Sequence, residues 1–223
     1  MPETAGSARS GPVDLIVAIH GILTGRSEPT WPERFERHMS GRPGTAVLTD
    51  QYDAGPMPRL NWFLENPKRA RAIANWVAEW HRDGKVRSIH FVAHSNGCDL
   101  ARRAIRILTG EHEIPVDTAI LISAPLPNTL AGMGLADAVD DRMLKRLVCY
   151  VADHDSVLAP GWSWRRPWTV LGTIARWPYG NLGRTGLVDS RQHIDGFNGR
   201  VIDSPAQRLF RNWGHGDFFP RDR

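Results

Sequence analysis

Short apolar runs alternate with longer amphipathic stretches over most of the chain. The apolar runs are almost unbroken and rich in β-branched residues, which predicts strands that are buried on both faces of a sheet. The predicted strands are residues 13–19, 45–49, 88–93, 118–123 and 147–152. Residues 201–203 are a candidate for one more short strand.

Between these runs, apolar residues recur with the spacing of one helix face. The predicted helices are residues 31–39, 67–81, 98–108 and 137–146. The Asn66-Pro67 pair is expected to open the second helix, and Gly110 to end the third. Strands that alternate with helices are typical of an α/β fold with a mostly parallel central sheet and helices on both faces. Ligands of such sheets bind at the carboxyl ends of the strands, so functional residues are expected directly after strands.

The length of 223 residues suits a single domain. Residues 1–11 are small and polar, which predicts a flexible tail before a domain at 12–223. No apolar run approaches the roughly 18 residues of a membrane span, and no leader is visible, so we expect a cytoplasmic protein without stable membrane insertion. Residues 160–198, rich in Trp, Arg, Gly and Pro, either cover a substrate site or pack irregularly over the sheet edge.

Charge and cysteine content exclude several classes of function. The net charge is +4, but the basic residues are interspersed with acidic ones and form no long run, so no nucleic-acid partner is expected. The two cysteines, Cys98 and Cys149, lie in apolar company and without metal-ligand spacing. They are predicted to be buried thiols rather than a disulfide or metal ligands, and no metal is expected.

The most informative motif is Ala93-His94-Ser95-Asn96-Gly97, which follows one predicted strand and precedes a helix. Its spacing is that of the G-x-S-x-G nucleophile elbow, with alanine in place of the first glycine. Small residues two positions either side of Ser95 let the chain turn sharply and lift the hydroxyl clear of the sheet. The alternative is a serine that only caps the helix.

The first predicted strand ends in His20-Gly21-Ile22. A backbone N–H after this strand, together with one at the helix start, would stabilise the negative oxygen of an acyl-transfer intermediate. We assign these oxyanion donors to Ile22 and Asn96, with Gly21 allowing close approach of the backbone. His20 and His94 are both expected beside the reactive loop, but they precede the candidate acid in the chain, which is the wrong order for a catalytic base. The alternative interpretation of residues 20–22 is an ordinary turn that ends the strand.

Two further segments supply a candidate acid and base. Asp153 and Asp155 both follow the strand that ends at residue 152, and Asp155 is favoured because the apolar stretch after it could anchor the loop. An acidic residue there can orient a catalytic histidine. His215 lies between two glycines near the C-terminus, and the chain order serine, aspartate, histidine matches this motif. His193 is the reserve base.

The segments LIVAIHGILTG, FVAHSNG and GHGDFF together resemble the α/β-hydrolase superfamily, in its lipase- and esterase-like branch. The resemblance implies catalysis through Ser95, His215 and Asp155, with an acyl-enzyme intermediate and no cofactor. It also implies a small-molecule or lipid-like ester as substrate. The sequence departs from the family's pattern at Ala93 and in offering two acids.

The alternatives within this chemistry stay open at the level of sequence. Nine tryptophans favour a lipase acting on long acyl chains, and an amidase or thioesterase would use the same residues. The alternative outside enzymes is a binding protein that has the same fold but no catalytic activity. Residues 124–140 are too short for a full cap domain, which predicts an open or lightly covered site. The oligomeric state is not predictable from the sequence.

Overall fold

The computed structural model of the protein describes residues 11–21, 30–50, 58–156, 158, 180, 182–187, 205–210, 212–214 and 218–219. Four predictions therefore fall outside the described residues: the strand at 201–203 and the roles of Ile22, His193 and His215. Most of the predicted tail and of residues 160–198 also lies outside them.

A six-stranded parallel sheet with the order β2-β1-β3-β4-β5-β6 forms the centre of the fold. The strands are β1 (Val13–Ile19), β2 (Thr45–Asp50), β3 (Val86–His94), β4 (Thr118–Ile122), β5 (Leu147–Ala152) and β6 (Pro205–Phe210). The first five confirm the predicted strands to within two residues at each end. β6 was not predicted, and its Pro205 starts the strand at a sheet edge, where a missing N–H is tolerated.

The described helices are α1 (Trp31–Met39), α2 (Pro58–Arg82), α3 (Gly97–Gly110), α4 (Leu130–Met133), α5 (Ala136–Asp140) and α6 (Leu182–Thr185). α1 and α3 confirm the prediction. The stretch between β4 and β5 is fully described and holds only the short α4 and α5, so no cap domain lies there. No helix in the described part of the chain is long and apolar enough to cross a membrane.

Helices lie against both faces of the sheet, as predicted. Alternate strand residues such as Leu15 and Phe91 are fully buried in the core cluster that contains α2 and α3. Their neighbours Ile16 and Val92 point to the opposite face, where they line a groove of about 780 Å³ together with α1. Crossovers between parallel strands are right-handed. The connection from β1 to β2 runs along the sheet in the direction opposite to the later connections, so its helix, α1, lies on the face opposite to α2 and α3.

Two predicted helix boundaries are wrong. Asn66-Pro67 does not open a helix, because α2 already begins at Pro58 and Pro67 lies in its interior. A proline there removes one helix hydrogen bond, and burial of Ala74 and Val77 in the core offsets this loss. The helix predicted at 137–146 ends at Asp140. Arg142 has a φ of 61°, a left-handed conformation that is incompatible with a continuing right-handed helix.

Candidate active site

Ser95 stands in a sharp turn between β3 and α3. Its φ is 53°, a left-handed conformation that costs a non-glycine residue roughly 1–2 kcal/mol. The turn is held from both sides: the Ser95 N–H donates to the Ile122 carbonyl of β4 at 2.9 Å, and the Ser95 carbonyl accepts from the Cys98 N–H at 3.0 Å. Strain of this kind persists where the surroundings enforce it, and it is concentrated at functional sites.

Gly21 brings the loop after β1 against this serine. A Cβ atom on Gly21 would lie 2.6 Å from Ser95 Cβ, 3.2 Å from Ser95 Oγ and 3.3 Å from His94 Nδ1. The first of these contacts is shorter than real Cβ atoms make, so glycine is required for the approach. The β1 loop and the serine turn, far apart in sequence, are therefore in direct contact.

Gly97 makes the corresponding contact from the start of α3. A Cβ atom there would lie 2.6 Å from the His20 carbonyl oxygen and 2.7 Å from that of Ile19. His20 is itself buried, and its Nδ1 lies 2.5 Å from the Gly21 carbonyl oxygen. The first turn of α3 thus packs directly on the end of β1. Ala93 faces Ile19 in the β1–β3 register and is fully buried, which explains why a residue little larger than glycine fits there.

These contacts lie at the point where the strand order reverses. β1 and β3 are neighbours, but the chain leaves β1 toward β2 and leaves β3 toward β4, so the loops after them diverge. In open α/β sheets this topological switch point is where ligands bind. Asn96, the N-cap of α3, is 1% exposed and lies at this point. Its N–H belongs to the start of the helix, where backbone donors point outward along the helix axis.

The two candidate acids differ in their surroundings. Asp155 is fully buried, its N–H donates to the Ala152 carbonyl at 3.2 Å, and its Oδ1 accepts from the Leu158 N–H at 3.1 Å. Asp153 is half-buried, and its Oδ1 accepts from the Asn212 N–H at 2.7 Å. Asp153 is therefore engaged with the chain that follows β6, whereas the Asp155 side chain turns back into its own loop.

His215 lies outside the described residues, but both of its flanks are described. On one side Trp213 packs on Phe210 with ring centroids 4.6 Å apart, and its carbonyl accepts from the His154 N–H at 3.2 Å. On the other side Phe219 stacks on Trp31 at 4.7 Å and meets the edge of the His94 ring at 5.1 Å. The chain before His215 is thus joined to the acid loop, and the chain after it to the serine turn.

Three polar residues near the site were missed by the sequence analysis. Asn66 and Asp99 are fully buried and hydrogen-bonded to each other. Asp50 ends β2 beside the loop after β1; burial raises the pKa of its carboxyl, and Arg69 and His20 act in the opposite direction. No periodicity or motif marks these residues, because their partners come from other elements.

Several solved structures of one esterase are similar to this chain over nearly its whole length. The chain is similar to esterase 2 of the planctomycete Thermogutta terrifontis phosphonylated by sarin, with 16% identity, a TM-score of 0.52, and 98% of this chain and 80% of that one covered. The paraoxon-phosphorylated form of the same esterase has 16% identity and a TM-score of 0.51, with 98% of this chain and 78% of that one covered. The propionate-bound form has 14% identity and a TM-score of 0.51, with 96% of this chain and 78% of that one covered.

Similarity at this level of identity shows the fold. The chain accordingly has an α/β fold like that of this esterase, which agrees with the predicted fold class. No protein-family model matches the chain, and no curated protein matches it in sequence.

Proposed function

We propose that the protein is a serine hydrolase that cleaves carboxylic esters, with Ser95 as nucleophile, His215 as base and Asp155 as the residue that orients the histidine. The observation that carries this proposal is the strained Ser95, which has a φ of 53° and lies so close to Gly21 that a Cβ atom there would be 2.6 Å from Ser95 Cβ. A serine that merely capped α3 would need neither the left-handed backbone nor a glycine from another loop beside its hydroxyl.

The reaction runs in two halves. His215 takes the proton from Ser95 as Oγ attacks the ester carbonyl, and the N–H groups of Ile22 and Asn96 stabilise the resulting oxyanion. The intermediate collapses to an acyl-enzyme when His215 returns the proton to the departing alcohol. Water then attacks the acyl group with His215 again as base, and the carboxylic acid is released.

The sheet geometry supports Asp155 as the third member. β3 and β5 are separated by β4, so the ends of β3 and β5 are about 10 Å apart, which leaves room for one imidazole ring between a serine and an aspartate. The burial of Asp155 also supports the assignment, because a carboxylate shielded from water interacts more strongly with a histidinium than an exposed one. Asp153, held by the Asn212 N–H, serves instead to fix the chain that leads into Gly214 and His215.

A carboxylic ester of modest size is the proposed substrate. Aromatic side chains lie beside the serine turn, where Phe219 contacts both Trp31 and His94. Such rings suit an apolar acyl or alcohol group. Among the structural neighbours, esterase 2 of Thermogutta terrifontis is described with bound propionate, which favours a short acyl chain. Amidase, thioesterase and long-chain lipase activity are alternative outcomes of the same test.

The decisive experiment compares hydrolysis of p-nitrophenyl esters, from acetate to palmitate, by the wild type, Ser95→Ala and Ser123→Ala. Ser123 is a matched control: it also follows a strand and has a positive φ of 46°, but its hydroxyl is buried and finds no hydrogen-bond partner among the described residues. We expect turnover by the wild type and Ser123→Ala, and a loss of about 10⁶-fold in kcat for Ser95→Ala.

The chain-length profile then identifies the substrate class. A maximum at acetate to butyrate supports the esterase, whereas rising activity toward palmitate, increased on emulsions, supports the lipase. If the wild type hydrolyses no ester, amide or thioester and Ser95 does not react with a fluorophosphonate, the proposal fails and a binding protein with this fold takes its place.

A further inference from the structure

A buried polar cluster joins helix α2 to the start of α3, next to the serine turn. The Asn66 amide of α2 donates from Nδ2 to Asp99 Oδ2 at 2.9 Å and to Asn96 Oδ1 at 3.3 Å. All three residues are at most 1% exposed. One amide nitrogen thus uses both of its hydrogens, one for each acceptor.

Asp99 makes this cluster rigid. Its Oδ2 also accepts from Arg103 Nε at 2.8 Å, and Arg102 Nη2 lies 2.6 Å from its Oδ1. A buried carboxylate is retained only where such partners compensate for the lost water. In addition, Asp99 lies in the first turn of α3, where the helix dipole favours a negative charge. The Asp99 carboxylate, which accepts from Asn66, is therefore held in one orientation by the two arginines.

The second hydrogen bond of Asn66 reaches the residue next to the nucleophile. Asn96 follows the strained Ser95, and rotation of the peptide group between these two residues is one way for the chain to relax toward an ordinary conformation. Its side chain is held by Asn66, and its carbonyl accepts from the Asp99 N–H at 3.0 Å. These contacts restrict Asn96 from both sides.

We propose that Asn66 is a positioning residue: by bonding Asn96 and Asp99 together, it fixes the peptide group that carries the Asn96 N–H. The inference rests on the proposed function, in which this N–H stabilises the oxyanion. Oxyanion donors must be fixed before the reaction, because a misplacement of about 1 Å can lower the rate about a hundredfold. Removing this amide alone leaves its two buried acceptors without their donor, which also lowers stability, so the role is tested on catalysis rather than on stability.

The test uses Asn66→Leu, which keeps the branched shape of the side chain, is somewhat larger, and removes both donor hydrogens. Asn75→Leu is the matched control, because Asn75 lies on the same helix but is exposed and bonded to His112 Nε2. We expect Asn66→Leu to lower kcat by about 10- to 100-fold with KM changed less than about twofold. A trifluoromethyl ketone, whose adduct carries the oxyanion, should bind more weakly by the same factor as kcat/KM falls. Asn75→Leu should change none of these values.

A double-mutant cycle separates positioning from general destabilisation. Asn96→Ala removes the side-chain amide that accepts from Asn66 and keeps the backbone N–H, so it should reproduce the loss in kcat, and combining it with Asn66→Leu should add little. Losses that simply multiply would overturn the proposal, as would an unchanged kcat in either single variant. If Asn66→Leu does not fold, Asn96→Ala alone decides the matter.

Failure of this inference is distinguishable from failure of the proposed function. Active wild-type enzyme with unaltered kcat in Asn66→Leu overturns only the role of Asn66. Wild-type protein that neither turns over esters nor is labelled at Ser95 overturns the proposed function, and the inference with it.

Discussion

Two glycines and a strained serine determine how closely the loops of the candidate site approach one another. Gly21 leaves no room for a Cβ atom beside Ser95, and Gly97 leaves none beside the His20 carbonyl. Each glycine is required by a neighbour from another segment, not by its own backbone, because neither has a positive φ. In the proposed mechanism, this close contact between the backbones would allow two N–H groups from different loops to face one reacting oxygen.

The choice between the two acids is a prediction at the same scale. Asp155→Asn should lower kcat by about 10³–10⁴-fold, because an amide would hold His215 in the wrong tautomer. Asp153→Asn keeps an oxygen that can accept from the Asn212 N–H, so its loss should stay below about tenfold. Steady-state kinetics on one ester measure both variants. The reverse ranking would assign the acid to Asp153.

The prediction that both cysteines are buried free thiols is confirmed. Cys98 and Cys149 are buried, and burial raises the pKa of the Cys149 thiol to about 12 and that of Cys98 well above its usual value. Thiolate is the nucleophilic form of cysteine, so neither residue is an alternative to Ser95 as nucleophile of the proposed reaction near neutral pH.

At the scale of the element, α3 is the part of the fold that connects the core to the site. Its apolar face, including Leu100, Ile105 and Leu108, is fully buried, while its first turn touches the end of β1 through Gly97. The same helix therefore fixes the turn at Ser95 and the position of the neighbouring loop.

Two glycine substitutions at opposite ends of α3 should act in opposite directions. Gly97→Ala forces backbone apart and should lower the free energy of unfolding by about 1–3 kcal/mol, with a loss of ester turnover. Gly110→Ala, whose Cβ would meet nothing within 4 Å, should raise it by up to about 1 kcal/mol and leave turnover unchanged. Denaturant unfolding measures both. Equal effects of the two would show that Gly97 is not constrained by the β1 contact.

Helix α2 shows how packing overrides a local signal. A proline preceded by asparagine ordinarily favours a helix start, yet α2 continues through Pro67. The buried Asn66 side chain bonds to α3 at this point, and Ala70, Ile73 and Ala74 pack into the core directly afterwards. These tertiary contacts compensate for the single backbone hydrogen bond that proline removes.

For the molecule as a whole, pH-dependent stability should depend on His90 in the sheet. Burial lowers its pKa from 6.5, and Lys145 acts in the same direction, while Asp117 and Asp14 raise it; Ser88 Oγ lies 2.9 Å from its Nε2. Below about pH 6.5 the unfolded chain therefore binds a proton that the native protein does not. The contribution of this group to stability is present above this pH and is lost as the pH falls toward the lower native pKa.

Replacement of His90 by glutamine tests this expectation. The free energy of unfolding of the wild type should decrease between about pH 7 and 5 more steeply than that of His90→Gln. Urea unfolding at several pH values, with other conditions fixed, measures the two slopes. A variant with a slope as steep as that of the wild type would show that other groups dominate the pH dependence.

The sequence by itself determined the α/β class, five of the six described strands, and the sharp turn at Ser95. These features depend on residues close together in the chain, where an apolar period or a small-residue motif decides the local conformation. The oxyanion donors and the residues of the proposed triad were also derived from local motifs, and they remain predictions.

Only the tertiary structure decided the strand order, and with it the switch point between β1 and β3 where Gly21 meets Ser95. It also joined Asn66 to Asp99, 33 residues away in the chain, and Asp153 to Asn212, 59 residues away. Nothing local distinguishes such partners, because the free energy that selects them comes from burying several elements together. A polar side chain gains a fixed role only when packing removes water and brings in one particular partner.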